Sequence, residues 1–315
     1  MTRLQNKKTK GLLGVVALLF AFVLSGCGGK TTTSDYYYNP AWTADGKILA
    51  TRERIETVTQ GGLGGGSNSQ IKKNHWVIMN ADGSGEREIL GLGYEEYMRA
   101  NASPSGNYVV TVGGIGLEVW SYPGFQKVSD IEIPRNDGVI REFDWSPDET
   151  KIVVRTESGG AKLYTRDGAF VSALNSLGLV QCWKYAPNII GQYGNYPNNV
   201  IRMVSETGDI IHDAMPSGAD QYYPGGTYFL GGVTGNTTAK RRTSDFTVIE
   251  TYPSLDAAIA IGEPINGEHQ LATNPLNPTN VEEVMFTTGY TNYGGGAKEG
   301  IGIVNVDGTN RRIIK

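Results

Sequence analysis

The stretch Phe143-Asp144-Trp145-Ser146-Pro147-Asp148-Glu149, continued by Lys151-Ile152-Val153-Val154-Arg155 and Ala161-Lys162-Leu163-Tyr164-Thr165 and closed by Asp167-Gly168, decides the fold. A short apolar segment runs into a proline turn. A β-branched run follows, then a second run that ends at Asp-Gly. Side chains of a strand alternate between its two faces, so Ile152 and Val154 share one face. Asp-Gly supplies the positive φ of a tight hairpin turn. The stretch therefore predicts consecutive antiparallel strands joined by short turns.

The pattern recurs along the chain. Ala41-Trp42-Thr43-Ala44-Asp45-Gly46 precedes Lys47-Ile48-Leu49-Ala50-Thr51, and residues 76–83 and 87–90 complete that copy after an insertion. Ala102-Ser103-Pro104-Ser105-Gly106 precedes β-rich runs at 108–112 and 117–120. Tyr185-Ala186-Pro187 opens a degenerate copy with a run at 200–204 and Thr207-Gly208, and Tyr222-Tyr223-Pro224-Gly225-Gly226 opens another. The last copy opens near Pro275 and ends with runs at 301–308 and 311–314. The anchors stand at 44, 104, 147, 187, 224 and 275, spaced by 60, 43, 40, 37 and 51 residues. A four-stranded propeller blade takes about 40–45 residues. The first long interval holds a glycine-rich stretch at 60–69, and a further one, at 294–296, follows the last anchor. One four-stranded blade cannot bury both of its faces, but blades stacked radially can. The expectation is an all-β fold, a six-bladed β-propeller of four-stranded antiparallel blades over residues 36–315. The 43 glycines and 17 tyrosines agree with many turns and many aromatic strand positions.

Ser146-Pro147-Asp148, Ser103-Pro104-Ser105-Gly106 and the later Asp82-Gly83 and Asp307-Gly308 turns resemble the WD40-like, TolB-type β-propeller repeat. The resemblance is to the repeat, and it weakens in the fourth and fifth copies. It implies a propeller and does not by itself imply an activity.

The N-terminus carries a second message. Arg3, Lys7, Lys8 and Lys10 precede an apolar run at 11–25, a basic region and a short apolar core of the kind that begins a secretory signal. The run of 15 residues is shorter than the roughly 20 a spanning helix needs. It ends Leu24-Ser25-Gly26-Cys27, which resembles the bacterial lipobox. That resemblance implies a signal peptide at 1–26, acylation of Cys27, and attachment to a membrane on the side away from the cytoplasm. With Gly28 after the cysteine, the family's sorting rule implies the outer membrane where the host has two membranes, and otherwise the outer face of the cell membrane. Residues 27–35 are small and polar and predict a flexible lipidated tether.

Composition excludes several functions. The formal charge is −4, and loss of four bases and no acids with the signal makes it −8. Nucleic acid demands clustered Lys and Arg, so no nucleic-acid partner is expected. Besides Cys27 the chain has only Cys182, so no internal disulfide forms. Gly29-Lys30-Thr31 lacks the earlier glycine of a phosphate loop, since Leu24 occupies that place. Asn80-x-Asp82-x-Ser84 begins like a calcium loop, but the twelfth position is Gly91 and not an acid. His75, His212 and His269 lack zinc-ligand spacing, and no Gly-x-Ser-x-Gly elbow exists. The TolB-like repeat also precedes peptidase domains, but no such domain is expected after Lys315. No metal, cofactor or catalytic residue is expected.

What remains is aromatic. Tyr193, Tyr196, Tyr222, Tyr223, Tyr290 and Tyr293 lie among Gly, Asn and Pro in or near the degenerate copies. Tyr beside such residues gives rigid contact area with adaptable hydrogen bonding. These residues are the candidate surface for an envelope protein or peptide partner. The five tryptophans, at blade-like positions, are expected in the core. The functional expectation is a non-catalytic binding or scaffold module of the cell envelope. The alternative is an enzyme or a small-ligand binder, for carbohydrate or peptide, that uses the propeller channel.

Overall fold

The computed structural model describes residues 30–60, 67–91, 100–194, 200–215, 221–223, 225–233, 237–253, 272–273, 283–288, 300–305 and 307–315. The signal peptide at 1–26 and Cys27 lie outside them. Every sheet is a four-stranded meander of sequence-consecutive strands. The first holds β1 (Lys30–Trp42), β2 (Ile48–Gln60), β3 (Ser67–Met79) and β4 (Arg87–Gly91). The second holds β5 (Ala100–Ala102), β6 (Tyr108–Gly113), β7 (Gly116–Ser121) and β8 (Lys127–Glu132). The third, from the decisive stretch, holds β9 (Ile140–Trp145), β10 (Lys151–Thr156), β11 (Gly160–Thr165) and β12 (Phe170–Ala173). The fourth comprises β13 (Leu179–Cys182), β14 (Ile189–Tyr193), β15 (Val200–Val204) and β16 (Ile210–Met215). The fifth comprises β17 (Gln221–Tyr222), β18 (Tyr228–Val233), β19 (Thr237–Arg242) and β20 (Val248–Thr251). The last comprises β21 (Ala272–Thr273), β22 (Glu283–Thr288), β23 (Gly300–Asn305) and β24 (Arg312–Ile313).

The chain divides into two compact units. Among the described residues the first unit holds 30–35, 53–60 and 67–73, and the second holds the others. Residues 30–35, expected as a tether, are the beginning of β1. In the first unit Arg54 holds Asp35 with two hydrogen bonds of 2.8 and 2.9 Å, and Lys72 pairs with Glu53 at 3.1 Å.

In the second unit inner strands are buried on both faces, as β10 shows, while the fourth strands β12 and β20 are largely exposed. Ile152 and Val154 join a core with Leu117, Val119 and Ile131 of the second sheet. Val153, on the opposite face, joins Val180, Trp183 and Ile189 of the fourth. Further cores link the first sheet to the second through Leu49, Trp76 and Val109, and the fourth to the fifth through Cys182, Met203, Tyr222 and Phe229. The first sheet also shares a core with the last, where Trp42, Ile48 and Val77 meet Met285, Ile301 and Ile303.

The turn between the first two strands is the same backbone object in five sheets. The fourth residue donates to the first in Gly46→Thr43, Gly106→Ser103, Glu149→Ser146, Ala186→Trp183 and Gly226→Tyr223. Glu149 has φ +61° where Gly46, Gly106 and Gly226 have +70°, +70° and +68°. The turn between the third and fourth strands is closed by Asn80, Ser121, Thr165, Ser205, Arg242 and Asn305, and it is one residue longer in the second and fifth sheets than in the others. The Asn80–Ser84 segment is one of these turns. Asp82 accepts the Ser84 amide at 2.9 Å, so its carboxylate serves the backbone.

Candidate functional site

The first strands of the second, third and fourth sheets carry a buried polar network. Asp144, on β9, is 7% exposed. Its Oδ1 accepts from Asn101 Nδ2 at 2.8 Å and from the Trp145 amide at 2.9 Å. Its Oδ2 accepts from the amides of Trp183 and Lys184 at 2.6 and 2.9 Å. Lys184 Nζ donates to the Ala102 carbonyl, and Trp145 Nε1 donates to the Asn101 carbonyl at 3.1 Å. One carboxylate thus ties three successive sheets together, with both oxygens occupied. Such a group is a fastener, since a general base needs a free lone pair aimed at substrate. Sequence reasoning quoted Asp144 but assigned it no role. The available signal was its register: two residues before the turn stand Asn101, Asp144, Gln181 and Gln221, each polar and each followed by a buried residue.

A cleft of about 300 Å³ opens between the fourth and fifth sheets. Pro187, Met203 and Ile211 give it apolar walls, and Asn188, His212, Thr227, Arg242 and Thr243 give it polar ones. Phe246, at φ +58° in the turn before β20, stands edge-on to His212 with ring centres 4.8 Å apart. Arg242 donates to Asp245 Oδ2 at 2.9 Å, and Thr243 Oγ1 donates to the Gly226 carbonyl at 2.8 Å. Behind this wall Arg241 is 7% exposed and donates to the Phe246 carbonyl at 2.9 Å. Its Nε is buried without a hydrogen bond, and burial pulls its pKa down. The cleft's described lining contains no carboxylate. Hydrogen-bond donors on an apolar floor suit reversible binding.

The structure separates the candidate tyrosines. Tyr193, on β14, is 42% exposed, with the Arg202 guanidinium 3.9 Å above its ring. Arg202 is itself held by Asp213, at 2.7 Å. Tyr222 and Tyr223 are 0% and 6% exposed, which corrects their reading as contact residues. Tyr222 packs against Phe229 and donates its hydroxyl to the Asn188 carbonyl at 3.1 Å. A ring enclosed by its own core cannot anchor a partner without unfolding the sheet. Tyr196, Tyr290 and Tyr293 lie outside the described residues, as does His269. His75 Nδ1 lies 2.7 Å from Glu88 Oε1. Among the described residues no three His, Cys, Asp or Glu gather in a way that could hold a metal. Cys182 is buried. Of the tryptophans, Trp42, Trp76, Trp145 and Trp183 are core, while Trp120 is half-buried and donates to Thr111 at 3.0 Å. In comparisons with known proteins, no family model matches the chain and no curated protein matches it.

Proposed function

We propose that the chain is a lipid-anchored, extracytoplasmic six-bladed β-propeller that acts as a non-catalytic protein-binding module of the cell envelope. Closure of the ring is supported by the way the first sheet meets the last. A Cβ on Gly83 would stand 2.5 Å from the Ile314 carbonyl oxygen, and one on Gly168, in the matching turn of the third sheet, would collide with the Asp130 carbonyl of the second. The first sheet thus approaches the last as the third approaches the second, which a closed ring requires. The anchor rests on the sequence around Cys27. Replacing Cys27 with Ser is expected to move the protein to the soluble fraction, and retention through a carbonate wash would overturn it.

The binding reading rests on the cleft between the fourth and fifth sheets, which offers apolar walls and hydrogen-bond donors without a lining carboxylate among the described residues. A photo-crosslinking residue at Ile211 or Thr227, in native membranes, is expected to capture an envelope polypeptide that the same residue at Ile115 does not. Ile115 is an exposed position in the turn between β6 and β7. Equal capture at all three positions would sink the proposal. A small molecule retained in the cleft, with no polypeptide adduct, would favour the ligand-binding alternative.

A further inference from the structure

We infer that the free end of the first unit, where β1 begins and β2 ends, rests on the surface of the lipid bilayer. This rests on the lipid anchor proposed above. The first observation is how near the anchor the strand lies. Composition predicts a tether through residue 35, yet Lys30, the first residue described, already belongs to β1, and only Gly28 and Gly29 lie between it and the acylated cysteine. Three residues of extended chain reach about 10 Å. Residues 30–35 cannot lengthen that reach, because they belong to the strand and Arg54 clamps Asp35 through both carboxylate oxygens. β1 and β2 are neighbours joined by a short turn, so they run antiparallel. With Asp35 beside Arg54, Lys30 comes level with the end of β2, near Thr59. The lipid therefore holds this end of the unit close to the headgroups.

The second observation is charge. Of the mature chain's 24 bases and 32 acids, the first unit holds four bases (Lys30, Arg54, Lys72, Lys73) and three acids (Asp35, Glu53, Glu56). The unit is therefore net positive by one, and the remainder is net negative by nine. The three acids are paired within the unit, Asp35 with Arg54, Glu53 with Lys72 at 3.1 Å and Glu56 with Lys73 at 3.3 Å. Lys30 is the base left over, exposed at the end nearest the lipid. Anionic headgroups attract such a charge within a Debye length of roughly 8–10 Å, about the reach of the three-residue link, and repel the acidic remainder.

The test uses the full acylated protein in vesicles of phosphatidylethanolamine with phosphatidylglycerol. A fluorophore is placed at Thr59→Cys or, as comparison, at Asp167→Cys, whose native side chain is 80% exposed in the second unit. Cys182 is buried and takes no label. A quencher on the lipid headgroups is expected to quench the label at 59 several-fold more than the label at 167. A flexible Gly-Ser insertion of about ten residues between Gly29 and Lys30 adds roughly 17 Å of reach and is expected to remove most of that difference. The mass of the N-terminal peptide separates the two possible failures. An acylated peptide with equal quenching at both positions overturns the bilayer contact and leaves the anchor standing. Quenching at 59 that the insertion does not change overturns the short link as its cause. An unacylated peptide overturns the anchor and the contact with it.

Discussion

The third sheet and the fifth perform the same fold with different residues. In the third, the first turn is Ser146-Pro147-Asp148-Glu149, and its side chains reinforce it. Ser146 Oγ accepts the Lys151 amide at 2.9 Å and donates to Asp148 Oδ1 at 2.6 Å, and Asp148 Oδ1 also accepts the Thr150 amide at 3.1 Å. In the fifth, Tyr223 occupies the place of Ser146, and Gly225 and Gly226 follow. The backbone bonds are nonetheless alike, Glu149→Ser146 at 3.0 Å and Gly226→Tyr223 at 2.9 Å. The motif thus supports a turn that the strand geometry already specifies. What both sheets keep is burial on either side of it. The residue before the turn is Trp42, Ala102, Trp145, Cys182 or Tyr222, and all are buried. The first turn residue is Thr43, Ser103, Ser146, Trp183 or Tyr223, again all buried.

If that equivalence is sound, Tyr222→Ala damages the fifth sheet as Trp145→Ala damages the third. Each is expected to cost about 3–5 kcal/mol, read from denaturant midpoints at constant slope. A loss below about 1 kcal/mol at Tyr222, with a normal loss at Trp145, would break the comparison and return Tyr222 to the surface. The next effect is smaller and sits between sheets. Asp144→Ala leaves the amides of Trp183 and Lys184 without their acceptor. Unsatisfied buried donors cost about 1–3 kcal/mol each and are not additive, so a net loss of about 2–4 kcal/mol is expected. Asp144→Asn keeps one acceptor oxygen and is expected to lose less. An unchanged midpoint for the alanine variant would mean that the network ties nothing.

These positions also show how far the sequence could be read. Strands with a strong β-rich run were legible to the residue or nearly so, as at Val200–Val204. Asp-Gly located the outer turns of the first, third and last sheets. It missed those of the second and fifth, where Phe125 and Phe246 take φ +50° and +58°. Phe is rare at positive φ, so no local signal marks such turns. Tyr222 and Tyr223 were misread although the repeat held the answer. Aligning Pro224 with Pro147 places Tyr223 on Ser146 and Tyr222 on Trp145, but the surrounding Gly and Pro outweighed that register. Asp144 was illegible in a different way. Its Oδ2 partners are backbone amides 39 and 40 residues away, and no residue type announces a backbone donor.

The smallest effect separates turns with a carboxylate from a turn without one. Asp45 holds the first turn of the first sheet. Burial alone would raise its carboxyl, but hydrogen bonds from Lys47, Thr43 and Tyr122 outweigh that and lower it from 3.8 to about 2. Asp148 in the third sheet behaves alike: burial raises it, and Ser146 and Thr150 bring it below its ordinary value. A carboxyl with a depressed folded pKa stabilises the fold while ionised. For Asp45 that contribution is complete above pH 3.8 and is lost as pH falls through about 2. Its side chain is 43% exposed, so water and salt screen it and the stability at stake is well under 1 kcal/mol. Amide hydrogen exchange can resolve an effect of that size where a melting curve cannot. After correction for intrinsic rates, the Gly46 amide is expected to lose protection as pH falls from 3.8 through about 2, and the Glu149 amide to lose it as Asp148 protonates in acid. The Gly226 amide closes the same turn beside Tyr223, with no carboxylate in that turn, and its protection is expected to hold. Tyr122→Phe removes one donor to Asp45, at 2.7 Å, and should move the loss at Gly46 to higher pH without touching Glu149. Equal acid sensitivity at all three amides would mean that acid loosens the sheets as wholes, and that the side chains of the motif add nothing local to the turn.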